Sequence, residues 1–268
     1  FLFDFDKLGF YPEHRAAIEE ITRHPHGIIF LTGPTGSGKS TTLYACLNQL
    51  NRDSVKIITI EDPVEYEMSG ITQIQIKPEI GFTFASALRS ILRHDPDIMM
   101  VGEVRDFETA ELAIRTALTG HLIFSTLHTN DAASGAARLL DIGVEPYLIA
   151  SSVNAFISQR LVRTICPRCK RKREDMSKLT GPFRDMTVYE GAGCDECHNI
   201  GYQGRTTIYE ILPVTDELQE LIIRKATATQ IRQAAAAAGG CTTMWEVGVR
   251  KVREGLTTPE EIMQVCEE

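Results

Sequence analysis

The stretch Gly33-Pro-Thr-Gly-Ser-Gly-Lys-Ser40 constrains this chain more than any other. It matches G-x-x-x-x-G-K-[ST], directly after the apolar run Ile28 to Leu31 and directly before a helical pattern from Ser40 to Leu50. Glycines let consecutive backbone N–H groups curl around a phosphate, and the helix behind them adds its positive dipole end. In such a cradle Gly33, Pro34, Thr35, Gly36, Ser37, Gly38, Lys39, Ser40 and Thr41 surround the phosphates. Lys39 reaches the β- and γ-phosphates, and the Ser40 hydroxyl ligates Mg²⁺.

Around this loop, strand and helix patterns alternate. A helix is expected from Glu13 to Arg23, with further strands at Val55–Ile60, Ile71–Ile76, Ile98–Val101 and Leu122–Leu127. Helical patterns lie between them at Phe84–Arg93, Phe107–Leu118 and Asp131–Asp141, followed by one predicted from Pro146 to Leu161. This is the signature of a parallel sheet with helices on both faces. Phe1 to Phe10 alternates apolar and acidic residues and is expected to be an edge strand or a linker. After Pro213 the chain reads as helical: Glu217–Ala226, Thr229–Ala238 ending at Gly239-Gly240, and a last helix opened by the capping box Thr258-Pro-Glu-Glu261.

Two later strands end in carboxylates, where ligands sit in an open parallel sheet. One is Ile57-Ile-Thr-Ile-Glu61-Asp62-Pro-Val-Glu65; the other is Ile98-Met-Met-Val-Gly102-Glu103, in which Gly102 takes the place of the usual aspartate. Phosphoryl transfer needs one group to organise Mg²⁺ and one to orient the attacking water. Glu103 and Glu61 are the candidates, ahead of Asp62 and Glu65. A third strand has His121 at one end and His128 at the other, and its carboxyl end, Ser125 to Asn130, is placed to sense a γ-phosphate.

The composition changes at Cys166. Cys166-Pro-Arg-Cys169 and Cys194-Asp-Glu-Cys197 present four thiolates in a segment too polar to hold a core, which suits a structural Zn²⁺. A redox pair explains the paired turns less well. Cys194-x-x-Cys-His198 also matches a haem-attachment signature, but that attachment takes place outside the cytoplasm. The basic run Arg168 to Arg173 reads as a solvated face, or as a surface for anionic lipid or an acidic partner.

The 268 residues carry a net charge of −8, which argues against non-specific duplex binding. No apolar run approaches the roughly 20 residues of a membrane span, and no leader of signal-peptide type is present. With its cysteines in metal-type spacing, the chain is expected in the cytosol. It begins at Phe1, and we read it as a fragment with sequence missing upstream.

Taken together the motifs resemble one family, the ATPases of type II secretion and type IV pilus assembly. Its marks occur in order: the Walker A at Gly33 to Thr41, an Asp box at Ile60 to Glu65, and a Walker B run from Leu88 to Asp106. A His box at Thr116 to Asp131 and a tetracysteine ending in Gly201-Tyr-Gln-Gly-Arg205 follow. Pilus-retraction ATPases share the first four but typically lack the tetracysteine. The resemblance implies a linker at 1–11, a RecA-like ATPase domain at 12–162, a zinc subdomain at 163–212 and a small helical domain at 213–268. It implies ATP, Mg²⁺ and Zn²⁺ as cofactors, and roles in hydrolysis for Lys39, Glu61, Glu103, Arg105, His121 and His128. It further implies a homo-hexamer under an inner-membrane platform protein, with an upstream domain supplying arginines; Arg89, Arg93 and Arg105 are the candidates within this chain. The rival readings are a zinc-containing nucleic-acid translocase or clamp-loader-like ATPase, and a scaffold that binds ATP without turnover.

Overall fold

The computed structural model describes residues 3–177 and 179–266. The chain opens with a one-turn helix α1 (Phe5–Leu8), then α2 (Pro12–Thr22), β1 (Gly27–Thr32), α3 (Lys39–Leu50), β2 (Ile57–Glu61) and β3 (Thr72–Gln75). It continues through α4 (Phe84–Ile91), β4 (Ile98–Val101), α5 (Phe107–Leu118), β5 (Leu122–Leu127), α6 (Ala133–Ile142) and α7 (Pro146–Ser152). Then come β6 (Val153–Ile165), a small ribbon of β7 (Lys170–Lys172) and β8 (Tyr189–Gly191), and β9 (Tyr202–Pro213). Four helices close the chain: α8 (Asp216–Ile223), α9 (Ala228–Ala237), α10 (Met244–Arg253) and α11 (Pro259–Cys266).

Seven strands form one sheet in the order β3-β2-β4-β5-β1-β6-β9, parallel except for the antiparallel pair β6–β9. Side-chain alternation divides the core between the two faces. Ile28 and Phe30 point to the face covered by α4 to α9, whereas Ile29 and Leu31 point to the face covered by α1 to α3, α10 and α11. The C-terminal helices therefore finish both faces of the sheet. Local chemistry sets their starts: the Thr215, Thr227 and Thr243 side chains accept hydrogen bonds from the N3 amides of α8, α9 and α10.

Two expectations change. The alternation at Phe1–Phe10 does not form a strand over its described part; Phe1 lies outside the described residues. Asp4 caps α1 and Gly9 stops it in the left-handed region. Phe5 and Phe10 are buried edge-to-face, with ring centroids 5.3 Å apart. The helix predicted from Pro146 to Leu161 is α7 only as far as Ser152, and then the backbone extends into the 13-residue strand β6. β6 lies between β1 and β9 and is buried on both faces over most of its length, so it lacks the alternation by which a strand is recognised. The expected boundary at 162/163 falls inside β6, and the one at 212/213 falls inside β9. The cysteine segment is thus an insertion between the arms of a long antiparallel ribbon.

Candidate active site

The phosphate loop leaves the carboxyl end of β1, near the middle of the sheet, and runs into α3. Beside it lie the carboxyl ends of β2, β4 and β5, so that residues far apart in sequence line one cavity of about 450 Å³. Its walls are Thr35 to Thr41, Glu61 to Pro63, Glu65, Gly102, Glu103, Arg105, Thr126 and His128, together with Leu161 of β6 and Arg205 of β9. This size suits a nucleotide-sized ligand.

The Lys39 ammonium donates to the carbonyls of Gly33 (2.8 Å) and Pro34 (2.9 Å). Burial pushes its pKa down, as does the nearby Arg160 guanidinium, while Glu103 pulls it back up. Within the loop the Ser37 hydroxyl is buried without a hydrogen-bond partner among the described residues, a polar group suited to an incoming phosphate. The Ser40 hydroxyl lies 3.3 Å from the Glu65 carboxylate. A hydroxyl and a carboxylate side by side at the loop are the oxygen ligands that a hard cation such as Mg²⁺ would take.

The two leading glutamates have different surroundings. Glu61 is buried and accepts hydrogen bonds from Tyr44, Thr59 and Gln73 (3.1 Å), all neutral donors. Glu103 instead meets the Arg105 guanidinium at 2.7 Å and the His128 ring at 3.3 Å, so the structure brings these three predicted residues together. Gly102 explains the missing aspartate. A Cβ there would lie 3.1 Å from the Ile60 carbonyl and 3.3 Å from the Phe84 ring, and the Gly102 amide itself bonds to Ile60.

His121 is not brought to the cavity. It precedes β5, near the Thr116 carbonyl and the Thr119 hydroxyl, and the strand separating it from His128 spans about 20 Å. Arg89 pairs with Glu108, and Arg93 donates to the Arg89 carbonyl, both away from the cavity. Sequence reasoning missed Tyr44, Gln159, Arg160 and the position of Arg205. The polar triplet Ser158-Gln159-Arg160, set between Ala155-Phe-Ile157 and Leu161-Val162, was the available signal.

The four cysteine sulfurs lie within 4.8 Å of one another. Three of the separations are 3.7, 3.8 and 3.9 Å. A tetrahedron with Zn–S bonds of about 2.3 Å has edges of about 3.8 Å, so Cys166, Cys169, Cys194 and Cys197 fit Zn²⁺. The amides of Gly193 and Cys194 donate to the sulfurs of Cys169 and Cys197, each at 3.3 Å, which stabilises thiolate charge. His198 is exposed and outside the four-sulfur cluster, whereas Cys194 and Cys197 share it with Cys166 and Cys169. In the basic run Arg168 pairs with Glu196, Arg171 with Glu190 and Arg173 with Glu260, while Lys170 lies over the Tyr189 ring.

A mostly parallel sheet with this loop on an inner strand and an acid–arginine–histidine group opposite defines a P-loop nucleotide-binding domain of the RecA-like class. The chain belongs to the family described as type II/IV secretion system protein, whose model matches residues 1–264. It is 49% identical over 276 residues to the type II secretion system protein E of Xanthomonas campestris pv. campestris, covering 100% of this chain and 48% of that protein. It is 46% identical over 268 residues to the type IV pilus assembly ATPase PilB of Myxococcus xanthus, covering 97% of this chain and 47% of that protein. The chain thus spans about half the length of these curated relatives. Among solved structures, the pilus retraction motor PilT with bound ADP superposes with a TM-score of 0.74 at 31% identity, over 98% of this chain and 66% of that one. The Legionella pneumophila ATPase DotB, at 23% identity and a TM-score of 0.72, shares the fold. No helix among the described residues is long and apolar enough to cross a membrane.

Proposed function

We propose that this chain is the Mg²⁺-dependent ATPase part of a homo-hexameric motor. It would work in the cytoplasm on an inner-membrane platform protein, powering type IV pilus extension or type II protein secretion. The observation that carries this reading is the convergence of Glu103, Arg105 and His128 on the cavity that the Lys39 loop lines. Lys39 and the loop amides bind the phosphates, and Ser40 with Glu65 would hold a Mg²⁺ ion, which would supply charge neutralisation. Glu103 orients the attacking water, and its two cationic or polar neighbours hold the carboxylate in place. Glu61, bound through Tyr44 and Thr59, positions the acidic loop that carries Asp62 and Glu65.

Greater identity to secretion and pilus-assembly relatives than to the retraction motor, together with the four-sulfur cluster, favours extension or secretion. The nucleic-acid reading gains nothing, because the knuckle arginines 168, 171 and 173 are already paired with carboxylates. The test is recovery of the full-length protein from membranes under ATP. Co-purification of a multi-spanning platform protein is the expected result. ATP turnover stimulated by single-stranded DNA, with no membrane partner, would reverse the reading.

A further inference from the structure

Gln159 of β6 is fully buried, and its side-chain amide is shared between two parts of the phosphate loop and its helix. The Nε2 group donates to the Ser37 carbonyl at 2.8 Å, and the Oε1 atom accepts from the Thr42 hydroxyl at 2.8 Å. Between these anchors lies Gly38, at a φ of 84°. A Cβ on Gly38 would come within 2.8 Å of the Gln159 Nε2, so the glycine is needed for this contact as well as for its backbone angle.

The geometry has a direct consequence for the phosphate cradle. The Ser37 carbonyl and the Gly38 N–H belong to one peptide unit, and in a trans peptide they point in opposite directions. Pinning the carbonyl toward β6 therefore aims the Gly38 N–H toward the cavity. Without that bond the Ser37–Gly38 peptide is free to rotate, and a carbonyl in the cradle would repel phosphate oxygens. The Thr42 bond fixes the first turns of α3 to the same strand.

We propose that Gln159 is a positioning residue for nucleotide binding and hydrolysis, holding the Ser37–Gly38 peptide in its anion-binding orientation. The inference rests on the ATPase reading above. Gln159 touches neither the substrate nor the reacting atoms; it acts through the loop.

The test uses the full chain with four variants, Gln159→Met, Gln159→Glu, Thr42→Val and Lys39→Ala. Gln159→Met keeps the volume of the buried site and removes the amide. Gln159→Glu keeps an acceptor for Thr42 but sets a carboxylate against the Ser37 carbonyl. Thr42→Val removes the other bond alone. Each is measured for ADP affinity by calorimetry, for kcat and KM separately, and for the change in the Gly38 amide resonance when ADP is added. The thermal midpoint without nucleotide establishes folding. Both Gln159 variants are expected to weaken ADP binding about tenfold or more and to lose the Gly38 response, with Thr42→Val much less affected. If folded Gln159 variants bind ADP within about twofold of wild type and keep the Gly38 response, the positioning role is overturned while the ATPase reading stands. The same holds if Thr42→Val matches them, because the effect would then be general loosening. If wild type binds ADP no better than Lys39→Ala, the ATPase reading itself has failed.

Discussion

Single side chains decide chemistry here through their neighbours. Glu103 and Glu61 both end strands beside the loop, but only Glu103 faces a cation and an imidazole at the cavity wall. Glu103→Gln keeps the size and hydrogen bonding of the group while removing its charge. ATP binding should persist while turnover falls by about 10² or more, read by steady-state hydrolysis. Lys39→Ala should abolish turnover. A second residue-scale prediction concerns Lys251, buried under the N-terminal segment, where its ammonium donates to the Gly9 carbonyl (2.7 Å) and the Thr206 hydroxyl (2.9 Å). Burial pushes its pKa down from the usual 10.5 to about 8; Glu254 opposes the shift and Arg250 adds to it. Between those two values the unfolded chain binds more protons than the folded one, so stability should rise with pH in that window. Below pH 8 the cost of the buried charge is fully present. Relative to Lys251→Met, wild type should gain about 3 kcal/mol as pH rises from about 8 to about 10.5, measured by urea unfolding. A flat difference would mean that Lys251 titrates as an exposed lysine.

At the scale of elements, the ribbon of β6 and β9 ties the two sites together. β6 supplies Gln159 beneath the phosphate loop and ends one residue before Cys166. The Cys166 amide bonds to the Gly201 carbonyl, and four residues further along the chain Arg205 reaches the nucleotide cavity. Leu179, Phe183 and Val188 anchor the cysteine insertion in the main core, and Phe183 packs against Trp245, the single tryptophan, at 5.5 Å. The purified protein is therefore expected to contain about one zinc per chain. Serine at any of the four cysteines should release it and shift the Trp245 fluorescence. Nucleotide binding should survive, weakened by a few-fold as Arg205 loses its support. Metal analysis finding no zinc in protein prepared without chelators, or an unchanged Trp245 emission after metal loss, would contradict this.

Across the whole molecule, the site is open and polar, and one cationic group at its wall, Arg105, is already neutralised by Glu103. Arginines supplied from another domain or subunit can account for about 10³–10⁵ in rate in phosphoryl transfer. The present chain alone should therefore bind ATP but turn it over slowly and assemble weakly. A chain carrying the remaining half of its relatives' length should hydrolyse ATP much faster with little change in affinity. Equal turnover and equally stable hexamers, judged by steady-state kinetics and sedimentation, would exclude a contribution from outside these 268 residues.

Much of this was legible from residues 33–40, 98–103 and 166–197, because a phosphate cradle, a strand-end acid and a pair of Cys-x-x-Cys turns are contiguous and carry their own geometry. The capping box of Thr227 with Gln230 is just as local, although the helix it starts was expected from Thr229. What only the tertiary structure decided is non-local. β6 is a strand because β1 and β9 provide partners on both edges, a fact that no window around Val153–Ile165 contains. The same pairing brings Gln159 beneath Ser37 and Arg205 into the cavity, while the β2–β3 and β4–β5 pairs give Glu61 and Glu103 their different neighbours. Motif chemistry is written in adjacent residues, whereas the environment of each group depends on which distant strands the sheet sets side by side.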